Sequence, residues 1–204
     1  MAGGEDKGWE QLSGHIPEDV CKRGLVSFDL SSGVYIIKSF NMDFKFCAKD
    51  RTISFASPEG ETFLRQFGDF YRLSSLWYLN ATKDIPLTGR LVLPQNLNGG
   101  EIFFRGSHVL PLARLAARYE AGREEFLSNG INVLGGSAAA YGDAAVVLYP
   151  YPKVPVTLIL WLKDDEFPAR VECLLDTSSE FHLPIDIIWM VAMMSILLMQ
   201  RAPV

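Results

Sequence analysis

Apolar and polar positions along this chain recur at two periods, and the changes of period mark its elements. Val34 and Ile36, then Met42, Phe44 and Phe46, alternate with polar or smaller neighbours at period two. Thr52, Ile53, Ser54 and Phe55 continue the pattern beyond a turn at Lys49-Asp50-Arg51, so a three-stranded meander is predicted. At Ser57 the period lengthens. Its hydroxyl can cap a helix, Pro58 suits the first turn, and Glu59 faces the positive end of the helix dipole. Phe63, Phe67, Phe70, Ser74, Trp77 and Tyr78 then recur at three- and four-residue steps, with Arg65, Gln66, Asp69 and Arg72 opposite. A strand is predicted over residues 86–93 and helical regions over 107–119 and 122–128, with a break at Asn129-Gly130.

The last third returns to strands, over residues 144–149, 155–162 and 170–175. The middle one, Val156-Thr157-Leu158-Ile159-Leu160-Trp161, is almost wholly apolar, as a central strand covered on both faces would be. Pro184 opens a final helix. Short connections and segregated elements give an α+β fold, with mostly antiparallel sheets and packed helices in a single domain over residues 15–204. Residues 1–14 are expected to form a flexible N-terminal leader, because Gly3, Gly4, Gly8 and Gly14 resist helix formation. Pro17, Glu18 and Asp19 then start a short helix that Gly24 stops.

Composition narrows the class. The chain has 204 residues, 49% of them hydrophobic and 21% charged, enough to bury a core without disulfides or metals. A net charge of −5 without a clustered basic surface argues against nucleic-acid binding. Cys21, Cys47 and Cys173 are scattered and odd in number, which fits buried thiols in a reducing, cytoplasmic setting. The glycine-rich, charged N-terminus does not read as a signal peptide. Residues 187–199 carry no charge, but as a helix they reach about 20 Å, short of a ~30 Å bilayer core. No membrane span is expected.

Candidate chemistry gathers in five places. Asp164, Asp165 and Glu166 form the densest carboxylate cluster; they suit a divalent ion or an acid–base pair, or simply a solvated turn. Tyr149-Pro150-Tyr151-Pro152-Lys153-Val154-Pro155 is a stiff segment. It reads either as a wall for a flat ligand or as a rigid connection between strands. Trp161 and Phe167 extend the same aromatic set. His182 lies one turn from Asp186, close enough for the carboxylate to orient its imidazole, although Pro184 between them makes a capping arrangement an equal alternative. The final helix carries Ile185, Ile188, Trp189, Ala192, Met193, Ile196 and Met199 on one broad face, read as core or as a homodimer contact over 185–199. Cys47 between Lys45 and Lys49 is either an activated thiol or a buried one. Gly99-Gly100 and Gly135-Gly136 match neither the phosphate-loop nor the dinucleotide spacing, and no metal site is encoded by local spacing.

Several phrases taken in order carry a resemblance: Leu76-Trp77-Tyr78-Leu79, Pro86-Leu87-Thr88-Gly89, Leu134-Gly135-Gly136, Gly142-Asp143-Ala144, Pro152-Lys153-Val154-Pro155, Leu160-Trp161, Asp165-Glu166-Phe167-Pro168-Ala169 and Leu183-Pro184. Over residues 15–200 the chain resembles the prokaryotic family catalogued as domain of unknown function 3786. The resemblance implies an origin in anaerobic bacteria or archaea and a neighbourhood of low-potential or corrinoid-type chemistry. Some similar proteins carry an appended iron–sulfur segment. This chain has no cysteine cluster and thus no iron–sulfur motif of its own, and the family supplies no catalytic residues to carry over.

The leading expectation is a binding or accessory protein in anaerobic redox metabolism. It would accommodate a flat cofactor (tetrapyrrole- or corrinoid-like) or a protein partner, with Tyr149, Tyr151, Pro152, Trp161 and Phe167 lining the site. Two alternatives stand beside it. One is an enzyme using Asp164, Asp165, Glu166 or His182, with or without a divalent metal; the other is a structural subunit that docks through its C-terminal helix.

Overall fold

The computed structural model describes residues 2–201, which form eight α-helices and two antiparallel sheets. Helix α1 (Ala2–Ser13) and α2 (Pro17–Gly24) precede a first sheet of β1 (Ser27–Asp29), β2 (Val34–Ser39), β3 (Met42–Cys47) and β4 (Thr52–Phe55) in the order β1-β2-β3-β4. The long helix α3 (Pro58–Ala81) follows, then β5 (Leu91–Val92), α4 (Gly100–Phe103), α5 (Leu112–Arg118) and α6 (Arg123–Ser128). Strands β6 (Ser137–Ala139), β7 (Ala144–Tyr151), β8 (Val154–Trp161) and β9 (Arg170–Asp176) join β5 in a second sheet, ordered β5-β9-β8-β7-β6. Helices α7 (Ser179–His182) and α8 (Ile185–Arg201) close the chain. The α+β architecture is the expected one.

Helix α3 starts where the sequence places it. Ser57 is extended, and its Oγ accepts the Gly60 amide at 3.3 Å, satisfying one of the free first-turn donors. Ser57→Ala should lower stability by about 1 kcal/mol, read as a small fall in Tm. An unchanged Tm would mean that Pro58 and packing alone hold the start. The apolar face of α3 meets the first sheet through rings: Phe63 and Tyr71 lie 5.3 and 4.5 Å from Phe44, in tilted contacts. Phe63, Tyr71, Phe44 and Phe46 are buried in one continuous core that also takes in β7, β8 and α8.

The flexible leader expected over residues 1–14 is not what the described residues form. Residues 2–13 are helical, with Trp9 and Leu12 buried. Gly8 serves the packing instead of opposing it: a methyl there would lie 3.1 Å from Leu76 Cβ, so a bare backbone lets α1 sit close on α3. Trp9 closes against Phe46 at 6.1 Å. Tertiary burial here outweighs the ~1 kcal/mol helix cost of each glycine.

Two further expectations are corrected. The strand over 86–93 shrinks to Leu91–Val92, and residues 82–90 run as an irregular strap. The helix over 107–119 is split, because Pro111 sits ahead of α5 and only a short 3₁₀ turn, Gly106–His108, precedes it. Helix α8 packs against α3, α5, α4, α7 and β7 of its own chain, and none of residues 187–200 is exposed. No helix among the described residues is long and apolar enough to cross a membrane.

Candidate functional site

The residues expected to line a ligand site do not converge. Tyr151 closes β7 with 0% exposure, its ring stacked on Tyr78 at 4.6 Å and its hydroxyl bonded to Ser74 Oγ at 2.6 Å and Ser75 Oγ at 2.9 Å. Burial pushes its phenol well above the usual range. Tyr149 is exposed and bonds Ser137 Oγ at 3.0 Å. Pro152 is half-buried at the tip of the β7–β8 hairpin. Trp161 lies at the far end of β8, about 23 Å away along a strand at ~3.3 Å per residue, with the Arg170 guanidinium 3.9 Å from its ring. Phe167 projects into solvent, 66% exposed. Alternation explains the scatter: on an extended chain Tyr149 and Tyr151 point the same way, yet the bulge between Leu148 and Tyr151 turns only the second ring into the core.

The acidic turn is held by its own backbone. Asp164 Oδ1 accepts the amides of Phe167 at 2.7 Å and Glu166 at 2.9 Å, and these bonds lower the carboxyl's pKa. Asp165 and Glu166 are exposed. Among the described residues no group of three or more His, Cys, Asp and Glu side chains is arranged to hold a metal ion. Cys47 donates to Asp50 Oδ2 at 3.3 Å.

Two other places gather unusual features. The first is a cleft of about 630 Å³ where four stretches distant in sequence meet. Its floor is apolar, from Phe40, Met42, Phe63, Leu134 and Leu198; Asn41, Glu59, Thr62, Gln66 and Arg201 form the rim. The β2–β3 turn on its edge puts both Phe40 (φ 49°) and Asn41 (φ 65°) in the left-handed region. That conformation is costly for a bulky residue such as Phe, and it persists because the Phe40 amide bonds Tyr149 O at 3.0 Å while its ring packs on Phe63 at 5.9 Å. Opposite, Asn129–Val133 wind as one π-helical turn, and Gly135 (φ 64°) comes so close to Asn41 that any side chain there would collide with it. Arg201 Nη1 bonds Gln66 Oε1 at 3.2 Å, and its guanidinium lies over the Phe67 ring. A second groove, about 510 Å³, runs between α1 and α3 past the exposed Trp77.

The second place is a buried polar cluster beneath the strap. Lys153, at the head of β8, is buried and donates from Nζ to the carbonyls of Lys83 and Ile85, both at 3.1 Å, with Asp84 at 3.5 Å. Asp176, at the end of β9, accepts five hydrogen bonds, from the Thr88 amide and hydroxyl, the Gly89 amide, and the Ser178 amide and hydroxyl. Burial alone would raise its carboxyl; the donors outweigh that and hold it below the usual value. His182 is buried, and its Nδ1 accepts the Lys83 amide at 3.3 Å, so the expected pairing with Asp186 gives way to a bond with the strap. Burial first, then the Lys153 and Lys83 cations, push the imidazole down to about 4, with Asp176 opposing.

Of the candidate residues, only His182 joins this cluster. The signal for the rest was a lysine heading an otherwise apolar central strand, since a buried ammonium needs acceptors around it.

No curated protein and no solved structure matches the chain significantly. A family model does, over residues 17–197, nearly the whole described fold from α2 to the next-to-last turn of α8. The chain therefore belongs to the family described as "Domain of unknown function (DUF3786)".

Proposed function

We propose that this chain is a non-catalytic binding or accessory module that holds a flat, largely apolar small molecule in the cleft between the β2–β3 turn, α3, the π-helical turn and α8. The observation that carries the reading is the cleft itself: about 630 Å³, floored by Phe40, Met42, Phe63, Leu134 and Leu198. That volume and lining fall within the usual range for small-molecule sites, roughly 300–1,000 Å³. The strained Phe40-Asn41 turn supports it, since a costly backbone conformation persists where the surroundings enforce it. Phe40 and Phe63 lie buried beneath the cleft and give its floor an aromatic base, and Arg201 sets a cation at the rim. The family resemblance adds a cofactor of the tetrapyrrole or corrinoid kind, working in anaerobic redox metabolism, as the ligand to look for first.

Protein purified anaerobically from its source should carry a species seen as visible absorbance and as excess native mass. Val133 is exposed on the cleft wall, so Val133→Trp fills the space without touching the core. This variant should lose the bound species at nearly unchanged Tm, because exposed substitutions stay within about 0.5 kcal/mol. Full retention of the species in Val133→Trp would remove the cleft from consideration. Colourless wild-type protein at the mass of the bare chain would sink the cofactor reading.

A further inference from the structure

The strap over residues 82–90 has almost no apolar anchor. From Lys83 to Arg90 every residue is exposed except half-buried Ile85. Polar side chains of the body hold it instead: Lys153 on two carbonyls, Asp176 on the amides of Thr88 and Gly89, and His182 on the amide of Lys83. Arg23 completes the set on the Thr82 carbonyl at 2.9 Å.

Three buried polar atoms beside these bonds have no protein partner among the described residues: Thr82 Oγ1, Ser179 Oγ and His182 Nε2. Their residues are 2%, 0% and 1% exposed. They belong to two segments in direct contact. Thr82 precedes Lys83, whose amide bonds His182, and Ser179 stands three residues before His182 on the same face of α7. The large majority of buried side-chain polar atoms in folded proteins are satisfied by protein or ordered water, so three orphans on touching segments point to a shared guest.

We propose that Thr82, Ser179 and His182 enclose a binding site for internal water, and that this water locks the strap to the body of the protein. The chemistry matches. Because Nδ1 accepts an amide, the neutral imidazole carries its proton on Nε2 and must donate; the two hydroxyls each donate and accept. One water completes such a set with its two lone pairs and two protons. An anion fits less well. Of the cations facing His182, Lys153 already gives its protons to two carbonyls and Asp84, and Lys83 is turned towards the Phe181 ring at 5.9 Å. Asp176, the facing carboxylate, already accepts its five bonds, four of them from Thr88 and Ser178.

Amide exchange of the strap in the full chain tests this, with Thr82→Val, which keeps the side-chain shape, and Ser179→Ala. Each removes one partner of the water and should speed exchange at Lys83, Thr88 and Gly89 about fivefold, in line with one net hydrogen bond, while β8 amides keep their rates. The two changes should be less than additive, because both act on the same water. A crystal structure should show solvent density within hydrogen-bond reach of at least two of the three atoms. Titration with sodium phosphate against matched sodium chloride separates the guests: strap protection that rises with phosphate alone would assign an anion and overturn the proposal. A dry site would overturn it equally, as would unchanged strap exchange in both variants.

Discussion

Tyr151→Ala is expected to destabilise the protein by about 4 kcal/mol, the range for removing a large buried ring. The ring has 0% exposure and is sandwiched near-parallel between Tyr78 at 4.6 Å and Tyr71 at 6.2 Å. Its removal leaves a cavity at the junction of α3 with the second sheet. The hydroxyl adds a separate share, because it joins Ser74 and Ser75 in a site sealed from solvent. Ser74 keeps its bond to the Phe70 carbonyl at 2.7 Å, and Ser75 loses its bond at 2.9 Å while retaining its interaction with the Tyr71 hydroxyl. Tyr151→Phe should therefore cost about 1–2 kcal/mol by itself, the net contribution of its two buried hydrogen bonds. Urea denaturation at neutral pH separates the two. A Tyr151→Ala midpoint equal to wild type would return this ring to the surface and to a ligand-facing role.

The same residue shows what could be read from the sequence. Its type, its proline neighbours and its place between two strands were legible, and β7 and β8 do pair there. Which way the ring faces depends on the bulge after Leu148, a one-residue irregularity that leaves no mark in the hydrophobic pattern. Elements whose own side chains fix them were legible for that reason: Ser57 caps α3 by a local bond, and β2–β3–β4 pair across short turns. The first helix was not, because Gly8 of α1 makes sense only against Leu76, far along the chain. Residues 86–93 look like a strand, but most of that stretch belongs to the strap whose carbonyls and amides Lys153, Asp176 and His182 claim. The cleft was the least legible feature. Its walls are single residues from four separate stretches, and only folding makes them neighbours.

Acid should weaken this fold through His182 before any carboxylate matters. In the unfolded chain an imidazole takes up its proton near pH 6.5; in the folded protein burial, with Lys153 and Lys83 nearby, delays this to about 4. Between those values the unfolded state binds a proton that the folded state refuses, so unfolding gains ground as pH falls. The stability in question is fully present above pH 6.5 and fully lost below about 4, and with 1.36 kcal/mol per unit it amounts to roughly 3 kcal/mol. The buried Asp176 acts in a different window. Its pKa is lowered, so its contribution persists through this range and fails only below the ordinary aspartate value near 3.9. Chemical denaturation at pH 7, 5.5 and 4.5 should show a progressive loss in the wild type. His182→Asn keeps an acceptor for the Lys83 amide without a titrating group, so it should flatten the slope over that interval. An equal slope in the variant would mean that the proton uptake lies elsewhere. The strap should respond first: protonation removes the lone pair at Nδ1 that holds the Lys83 amide and sets a third positive charge beside Lys83 and Lys153. Amides of residues 83–89 should therefore lose protection at a higher pH than those of β8, whose bonds are shielded by apolar side chains on both faces.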